Sequence, residues 1–299
     1  MRNIISMSCR MLGKLLLCIT LLIANISCAT KSNDLIVMGN HGNADTQFIL
    51  GIMYADGEGM PQDYKQAIEW LAKAANQGHV NAQFRLGFMY YYGKGAPKDY
   101  NQSFSWYTKA ANQGHAMAQA TLGVMYAKGE GVPQDYNQAF LWLTKAANQG
   151  EANAQYNLGV IYERGLFVPQ DYNQALEWYT KAVNQGSAKA QNNVGSMYEH
   201  GLGVPQDHKQ AFAWYTKAAN HGDSRAQNNL GGMHLRGQGT PQNHIQAYVW
   251  FSLAAASGDY DASKWRDLAA SKLTPQQLAE AQQQYKEFTN KIEANKQKQ

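Results

Sequence analysis

The string GVPQDYNQAFLWLTKAANQG occupies residues 131–150 and returns at 203–222 as GVPQDHKQAFAWYTKAANHG, with five changes. Aligning the whole chain on this string gives a period of 36 residues and six copies without insertion or deletion, at 44–79, 80–115, 116–151, 152–187, 188–223 and 224–259. A repeat of this length is one small structural unit that cannot bury its own apolar face. Stability must then come from neighbouring units stacked in a row. The period therefore overrides the one or two ordinary domains that 299 residues would otherwise suggest.

Each copy reads as two short helices. In the second copy the first helix is expected over Asn81 to Tyr92, with Leu86 and Tyr90 four apart on one face and Gly87 beside them. Glycine inside a helix costs up to about 1 kcal/mol relative to alanine. Its return as Gly51, Gly87, Gly123, Gly159, Gly195 and Gly231 implies that a neighbouring helix comes close there. A Gly-x-Gly turn follows, then Pro97. Asp99 and Gln102 have the spacing of a capping box at the start of the second helix. That helix carries Trp106 and the Ala110-Ala111 pair inward and stops at Gly114, placed for a left-handed C-terminal turn. After the sixth copy, Thr274-Pro275-Gln276-Gln277 starts one more helix, whose apolar stripe Leu278, Ala281, Tyr285, Phe288 and Ile292 predicts a cap on the end of the stack.

The pattern carried by Ala118, Leu122, Gly123, Tyr126, Gly129, Gly131, Asp135, Ala139, Trp142, Lys145, Ala146, Ala147 and Gly150 resembles the Sel-one-like repeat, a relative of the tetratricopeptide repeat. The resemblance covers residues 44–259. It implies an all-α protein, an α/α solenoid superhelix of six 36-residue helix-pair repeats with a C-terminal capping helix, used for protein–protein interaction and found in the bacterial cell envelope. The expected organisation is a signal peptide over 1–29, a linker over 30–43, the solenoid over 44–259, and capping helices and tail over 260–299. Departures from the pattern are Thr46, Ser103, Phe167, His234 and Asn243. Phe167 replaces a loop glycine, which leaves the geometry of the fourth loop open.

The first 29 residues contain Arg2, Arg10 and Lys14 without an acid, an apolar run from Leu15 to Ala24 and small residues from Ser27 to Ala29. This is the layout of a secretory leader, and the apolar run is too short to span a bilayer, for which about 20 residues are needed. Met11 is an alternative start. All three cysteines, Cys9, Cys18 and Cys28, lie in this segment. Export to the periplasm is the expected destination, with a lipid anchor on Cys28 as the variant. The processed chain then has no disulfide framework, no thiolate nucleophile and no cysteine metal site. It carries 23 basic and 22 acidic residues, a net charge of +1 that argues against nucleic acid as partner.

No zinc-protease helix pair, phosphate loop or nucleophile elbow occurs, so no catalytic, cofactor or metal residues are assigned. His200, His208, His221, His234 and His244 cluster late in the chain but read as packing or surface residues, because three of them stand in tyrosine slots. The tryptophans Trp70, Trp106, Trp142, Trp178, Trp214 and Trp250 read as core. The glutamines Gln47, Gln83, Gln119, Gln155, Gln191 and Gln227 read as hydrogen bonds between repeats to backbone carbonyls.

Slots that vary on a constant frame are where a partner would be read. In tetratricopeptide-like stacks the first helices line the concave face. There the early copies place Phe48, Ile52, Phe84, Phe88, Tyr91 and Tyr92, an aromatic patch of the kind enriched at binding hot spots. The later copies place Lys128, Arg164, His200 and Arg236 as a basic stripe, beside Asn192 and Asn228. The expected activity is non-enzymatic binding by a monomer. The partner is a protein or peptide with an acidic segment, and no membrane span is involved. An inhibitor or immunity protein that blocks an envelope-acting enzyme or toxin is the close variant. Cell-wall or β-lactam hydrolysis is the rival of another class, for which no convergent residues are present.

Overall fold

The computed structural model describes residues 34–296, and among these the regular structure is entirely helical. The leader, its start site and Cys28 lie outside the described residues. Residues 34–40 are helical, so the segment expected to be a linker is not featureless. Twelve helices then form the six pairs: α1 (Ala44–Asp56) with α2 (Tyr64–Asn76), α3 (Val80–Tyr92) with α4 (Tyr100–Asn112), α5 (Ala116–Lys128) with α6 (Tyr136–Asn148), α7 (Ala152–Arg164) with α8 (Tyr172–Val183), α9 (Ala188–His200) with α10 (His208–Asn220), and α11 (Ser224–Arg236) with α12 (His244–Ala256). Two more, α13 (Tyr260–Ala270) and α14 (Pro275–Lys296), follow. The architecture is the expected α/α solenoid. The chain forms two compact units, divided within α6 after Ala139.

The helices begin and end where the sequence chemistry puts them. Asp63, Asp99, Asp171 and Asp207 cap the second helices through carboxylates that accept backbone N–H groups two and three residues on, at 2.8–3.1 Å. The capping box predicted at Asp99 is only half made, because the Asp99 N–H donates instead to the Tyr90 carbonyl at 3.0 Å. At the start of α14 the box is complete: the Thr274 N–H donates to Gln277 Oε1 at 3.0 Å and the Gln277 N–H to Thr274 Oγ1 at 3.3 Å. First helices are capped by a changing residue in one slot, Asn43, His79, His115, Glu151, Ser187 or Asp223. His79 and His115 do this with Nδ1 as acceptor.

The glycine ladder marks the close approach of the two helices in a pair. A Cβ on Gly87 would stand 2.8 Å from the Tyr107 ring, and on Gly195 or Gly231 it would be 2.8 Å from Tyr215 or Phe251. The residue pressed against each glycine, Leu71, Tyr107, Tyr179, Tyr215 or Phe251, is buried. This corrects the reading of the tryptophans. Trp106, Trp142, Trp178 and Trp214 are half-buried at the edge of the core, and the residue that follows each of them in the chain fills its centre. The exposed faces of these indoles carry Lys109, Lys145, Lys181 and Lys217, with the ammonium 3.8–4.2 Å from the ring centroid.

Trp70 and Trp250 are more deeply buried because chain outside the repeats reaches them. Gly39 packs on Trp70, and Phe288 of α14 lies 5.1 Å from Trp250. Ala281, Tyr285 and Phe288 join the core cluster of the last two repeats, so α14 closes the stack as its stripe predicted. Gln246 adds a 2.7 Å hydrogen bond to Gln284.

The glutamine ladder links neighbouring repeats. Gln83 donates through Nε2 to the Ala75 carbonyl of the previous copy at 3.1 Å, and Gln47, Gln119, Gln155 and Gln227 do the same to Gly39, Ala111, Ala147 and Ala219. Its oxygen is used as well. Gln113, thirty residues on and in the same copy, donates to Gln83 Oε1 at 2.7 Å, and Gln77 and Gln185 serve Gln47 and Gln155 at 2.8 Å. His221 Nδ1 holds the equivalent place opposite Gln191 at 3.2 Å. In the sixth copy Ser257 is too short, and Gln227 Oε1 is buried without a partner.

Two departures from the pattern are accommodated. Ser103 is buried and donates to the Gly87 carbonyl at 2.8 Å. Phe167 keeps the fourth loop in the shared geometry by adopting φ +52°, the left-handed region that the equivalent glycines occupy at 69–78°. This is a costly conformation for a residue with a Cβ.

Candidate partner-binding surface

The residues expected to line one groove fall in the two compact units. Phe48, Ile52, Phe84, Phe88, Tyr91, Tyr92 and Lys128 belong to the first; Arg164, Asn192, His200, Asn228 and Arg236 belong to the second. Each unit forms its own candidate surface.

In the first unit α1, α3 and α5 carry the variable residues. Phe48 and Phe84 are half-buried and stack at 4.5 Å on His79 and His115, the N-cap residues of the following copies. They are partly spent on packing. Burial pushes the pKa of His115 below the usual histidine value. This suits a ring whose Nδ1 must stay free to accept the Ala118 N–H at 3.2 Å. Tyr92 is 60% exposed, an unusual state for so large a ring. It lies 4.5 Å from Phe88 and 5.0 Å from Tyr91, which in turn meets Tyr100 edge-on at 5.2 Å. The Tyr91 hydroxyl donates to Glu130 at 2.7 Å, and burial followed by that bond drives its pKa far up. Lys128 pairs with the same Glu130 at 3.8 Å.

Between the first two copies this surface opens into a pocket of about 190 Å³. Ile52, Leu71, Phe88 and Met89 form its apolar part; Asp56, Arg85, Tyr64 and Lys94 are among its polar residues. Lys94 sits 5.5–5.6 Å from the Phe88 and Tyr64 rings, and Lys98 sits 4.3 Å from the Tyr100 ring. Sequence reasoning did not single out Arg85, Lys94 or Lys98. The signal was available: each is the one cation in its slot across the six copies.

In the second unit two of the three basic residues of the stripe are engaged. Arg164, His200 and Arg236 are exposed, but Arg236 lies 3.4 Å from Glu199 and also bonds Gln238, while His200 Nδ1 bonds the Ser196 carbonyl at 2.9 Å. The carboxylates beside the stripe went unread in the sequence. Glu199 accepts the buried Tyr215 hydroxyl at 2.7 Å, and Glu163 accepts the Tyr179 hydroxyl and, at 3.4 Å, an N–H of Asn193 Nδ2. Burial, with these carboxylates as the next cause, pushes both phenol pKa values far above normal. The recurrence of Glu and Tyr sixteen residues apart in two successive copies was the available clue.

Asn192 is a correction. Expected on the surface, it is 5% exposed and bonded to Asn193 and Asn229, so it is a core polar contact. Asn228 is half-buried, and its oxygen has no hydrogen-bond donor. His234 is buried with its ring edge-on to Phe212 at 5.3 Å, and burial lowers its pKa. No group of three His, Cys, Asp or Glu converges on a point among the described residues, and no described helix is long and apolar enough to cross a membrane.

Comparison with known proteins agrees with the architecture. A crystal structure of a Sel1 repeat protein from Oxalobacter formigenes is 32% identical, superposes with a TM-score of 0.67, and is matched over 71% of this chain and 85% of that one. The protective antigen c5321 of uropathogenic Escherichia coli, which displays the SLR fold, is 29% identical over 87% and 72% of the two chains, with a TM-score of 0.44. The immunity protein Pa5087 of Pseudomonas aeruginosa is 23% identical over 71% and 81%, with a TM-score of 0.45. No curated protein matches the sequence. The model of the Sel1 repeat matches residues 44–79, 80–115, 116–151, 152–187, 188–223 and 224–259, and with six copies spanning most of its length the chain belongs to the Sel1 repeat family.

Proposed function

We propose that the chain is an exported, monomeric, non-enzymatic scaffold of the cell envelope that holds a protein or peptide on the surfaces its first helices present. Sel1 repeats form a framework suited to protein–protein interaction. The observation that carries the reading is the exposed ring of Tyr92, set against Phe88 and Tyr91, in a protein whose core tyrosines Tyr107, Tyr179 and Tyr215 are almost wholly buried. An aromatic cluster with one ring left in solvent beside a pocket is a common form of partner anchor.

The test is crosslinking of the full chain in its native cells, with mass spectrometry of what is captured, repeated with Tyr92→Ala. A protein partner captured by the parent and lost from the variant at unchanged thermal midpoint supports the scaffold. A partner that is an enzyme or toxin, inhibited on binding, makes the chain its inhibitor. Capture of no protein, or turnover of a cell-wall substrate by the purified chain, overturns the reading.

A further inference from the structure

The second copy departs from its five siblings in one consistent direction. In the slot after the loop proline the other copies all have glutamine, Gln62, Gln134, Gln170, Gln206 and Gln242, and each donates through Nε2 to a carbonyl at the end of the preceding helix at 2.7–2.8 Å. The second copy has Lys98 there and gives up that clasp. Between the two loop glycines it has Lys94, where the others have Glu58, Glu130, Leu166, Leu202 and Gln238. On the first helix it has Arg85, where the others have isoleucine, threonine or asparagine. Three substitutions, one of which removes a structural hydrogen bond, place two cations, Arg85 and Lys94, in the pocket lining and a third, Lys98, in the same loop as Lys94 and over the Tyr100 ring. Among the described residues no carboxylate forms an ion pair with any of the three, and Asp56 is the one acid lining the pocket.

We infer that the pocket between the first two copies takes a large apolar side chain of a partner polypeptide, and that Arg85, Lys94 and Lys98 hold carboxylates flanking that side chain. This rests on the scaffold reading above and specifies its partner. The floor of Ile52, Leu71, Phe88 and Met89 offers an entering side chain only apolar contact, and a volume of about 190 Å³ admits one residue rather than a folded element. Guanidinium and ammonium groups at its rim then select the neighbours of that residue by charge. Lys94 and Lys98 lie against Phe88, Tyr64 and Tyr100, so their heads are oriented before a partner arrives. A basic segment meets uncompensated like charge at the same rim.

The probe is a random dodecapeptide library displayed on phage and selected on the full chain, followed by titration of the enriched peptide. Enriched sequences should join an aromatic or large aliphatic residue to Asp or Glu. Arg85→Glu with Lys94→Glu should weaken the peptide at least ~10-fold, as loss of paired interfacial charges does. Lys98→Gln, which restores the glutamine of the other copies, should weaken binding while the thermal midpoint stays equal or rises, an outcome that damage to the fold would not give. Met89→Trp, which fills the pocket, should abolish it.

Enrichment of basic or uncharged peptides, of none at all, or binding indifferent to these changes overturns the inference. So does association with anionic phospholipid vesicles that the peptide does not displace. The scaffold reading fails separately: a cellular partner captured equally by the parent and by the Arg85→Glu, Lys94→Glu variant leaves the scaffold standing and removes this pocket from it.

Discussion

Replacing Ser257 by glutamine should stabilise the last repeat. In the first, second and fourth copies the ladder glutamine accepts a hydrogen bond at 2.7–2.8 Å from a glutamine thirty residues later. In the sixth, Gln227 Oε1 is buried and has no donor. The backbone at Ser257, φ −86° and ψ 6°, matches that of Gln77 at −84° and 3° and Gln113 at −87° and 8°. A glutamine can therefore take the same position without strain. Satisfying a buried acceptor recovers about 1–3 kcal/mol, and fixing a glutamine side chain costs up to about 2 kcal/mol. The net expectation is a gain of about 1 kcal/mol. For a domain of this size that raises the thermal midpoint by about 2–4 °C. Calorimetry measures the midpoint, and amide exchange in α12 and α13 localises the gain. Ser257→Leu, which adds bulk without a donor, is the control, and a double-mutant cycle with Gln227→Ala isolates the pair. If Ser257→Gln is neutral or harmful, or if leucine does as well, the hydrogen-bonded ladder is not what stabilises the repeats.

Gly195→Ala should cost about 1–3 kcal/mol by urea denaturation, because its Cβ would stand 2.8 Å from the Tyr215 ring and the clash outweighs the better helix propensity of alanine. Tyr215→Phe should cost about 1.5–3 kcal/mol, since Glu199 loses a donor in a half-buried site, and the loss should shrink in a Glu199→Gln background. His234 is held neutral by burial, with a folded pKa below its unfolded value of about 6.5. As pH falls below that value the unfolded chain takes the proton first, so stability should decline with acidification and level off below the folded pKa. His234→Tyr, the residue of the other copies, should remove that part of the slope between melts at pH 7.5 and 5.5.

The fold was legible because the repeat states each packing demand six times. Gly87 and its equivalents marked the close helix approach, the aspartates marked helix starts, and Thr274 to Gln277 marked the closing helix. What the pattern could not decide was which of two adjacent large residues fills the centre. The tryptophan slot is constant in all six copies, whereas the slot after it holds Leu71, Tyr107, Leu143, Tyr179, Tyr215 and Phe251, and a turn of about 100° between neighbours separates core from rim. Asn192 was misplaced for a related reason: polarity suggested solvent, but Asn193 and Asn229 supply partners inside the protein. The candidate site was half legible. Aromatic residues in Tyr91 and Tyr92 stood out, whereas Lys98 is conspicuous only when its slot is read down all six copies and the work done by the glutamine it replaces is known.

The ladder glutamine also bears on how such a chain can grow. The first, second and fourth copies each bring their own connector, with the amide nitrogen reaching back to the chain before it and the oxygen held by a side chain just past the end of the same copy's second helix. A duplicated copy would arrive with every bond needed to join its predecessor and none that must be rewritten in its neighbours. Lengthening by whole copies is thus chemically neutral in the interior of the array. The two ends are where invention is required, and there Gly39 supplies the first carbonyl and α14 covers the last indole.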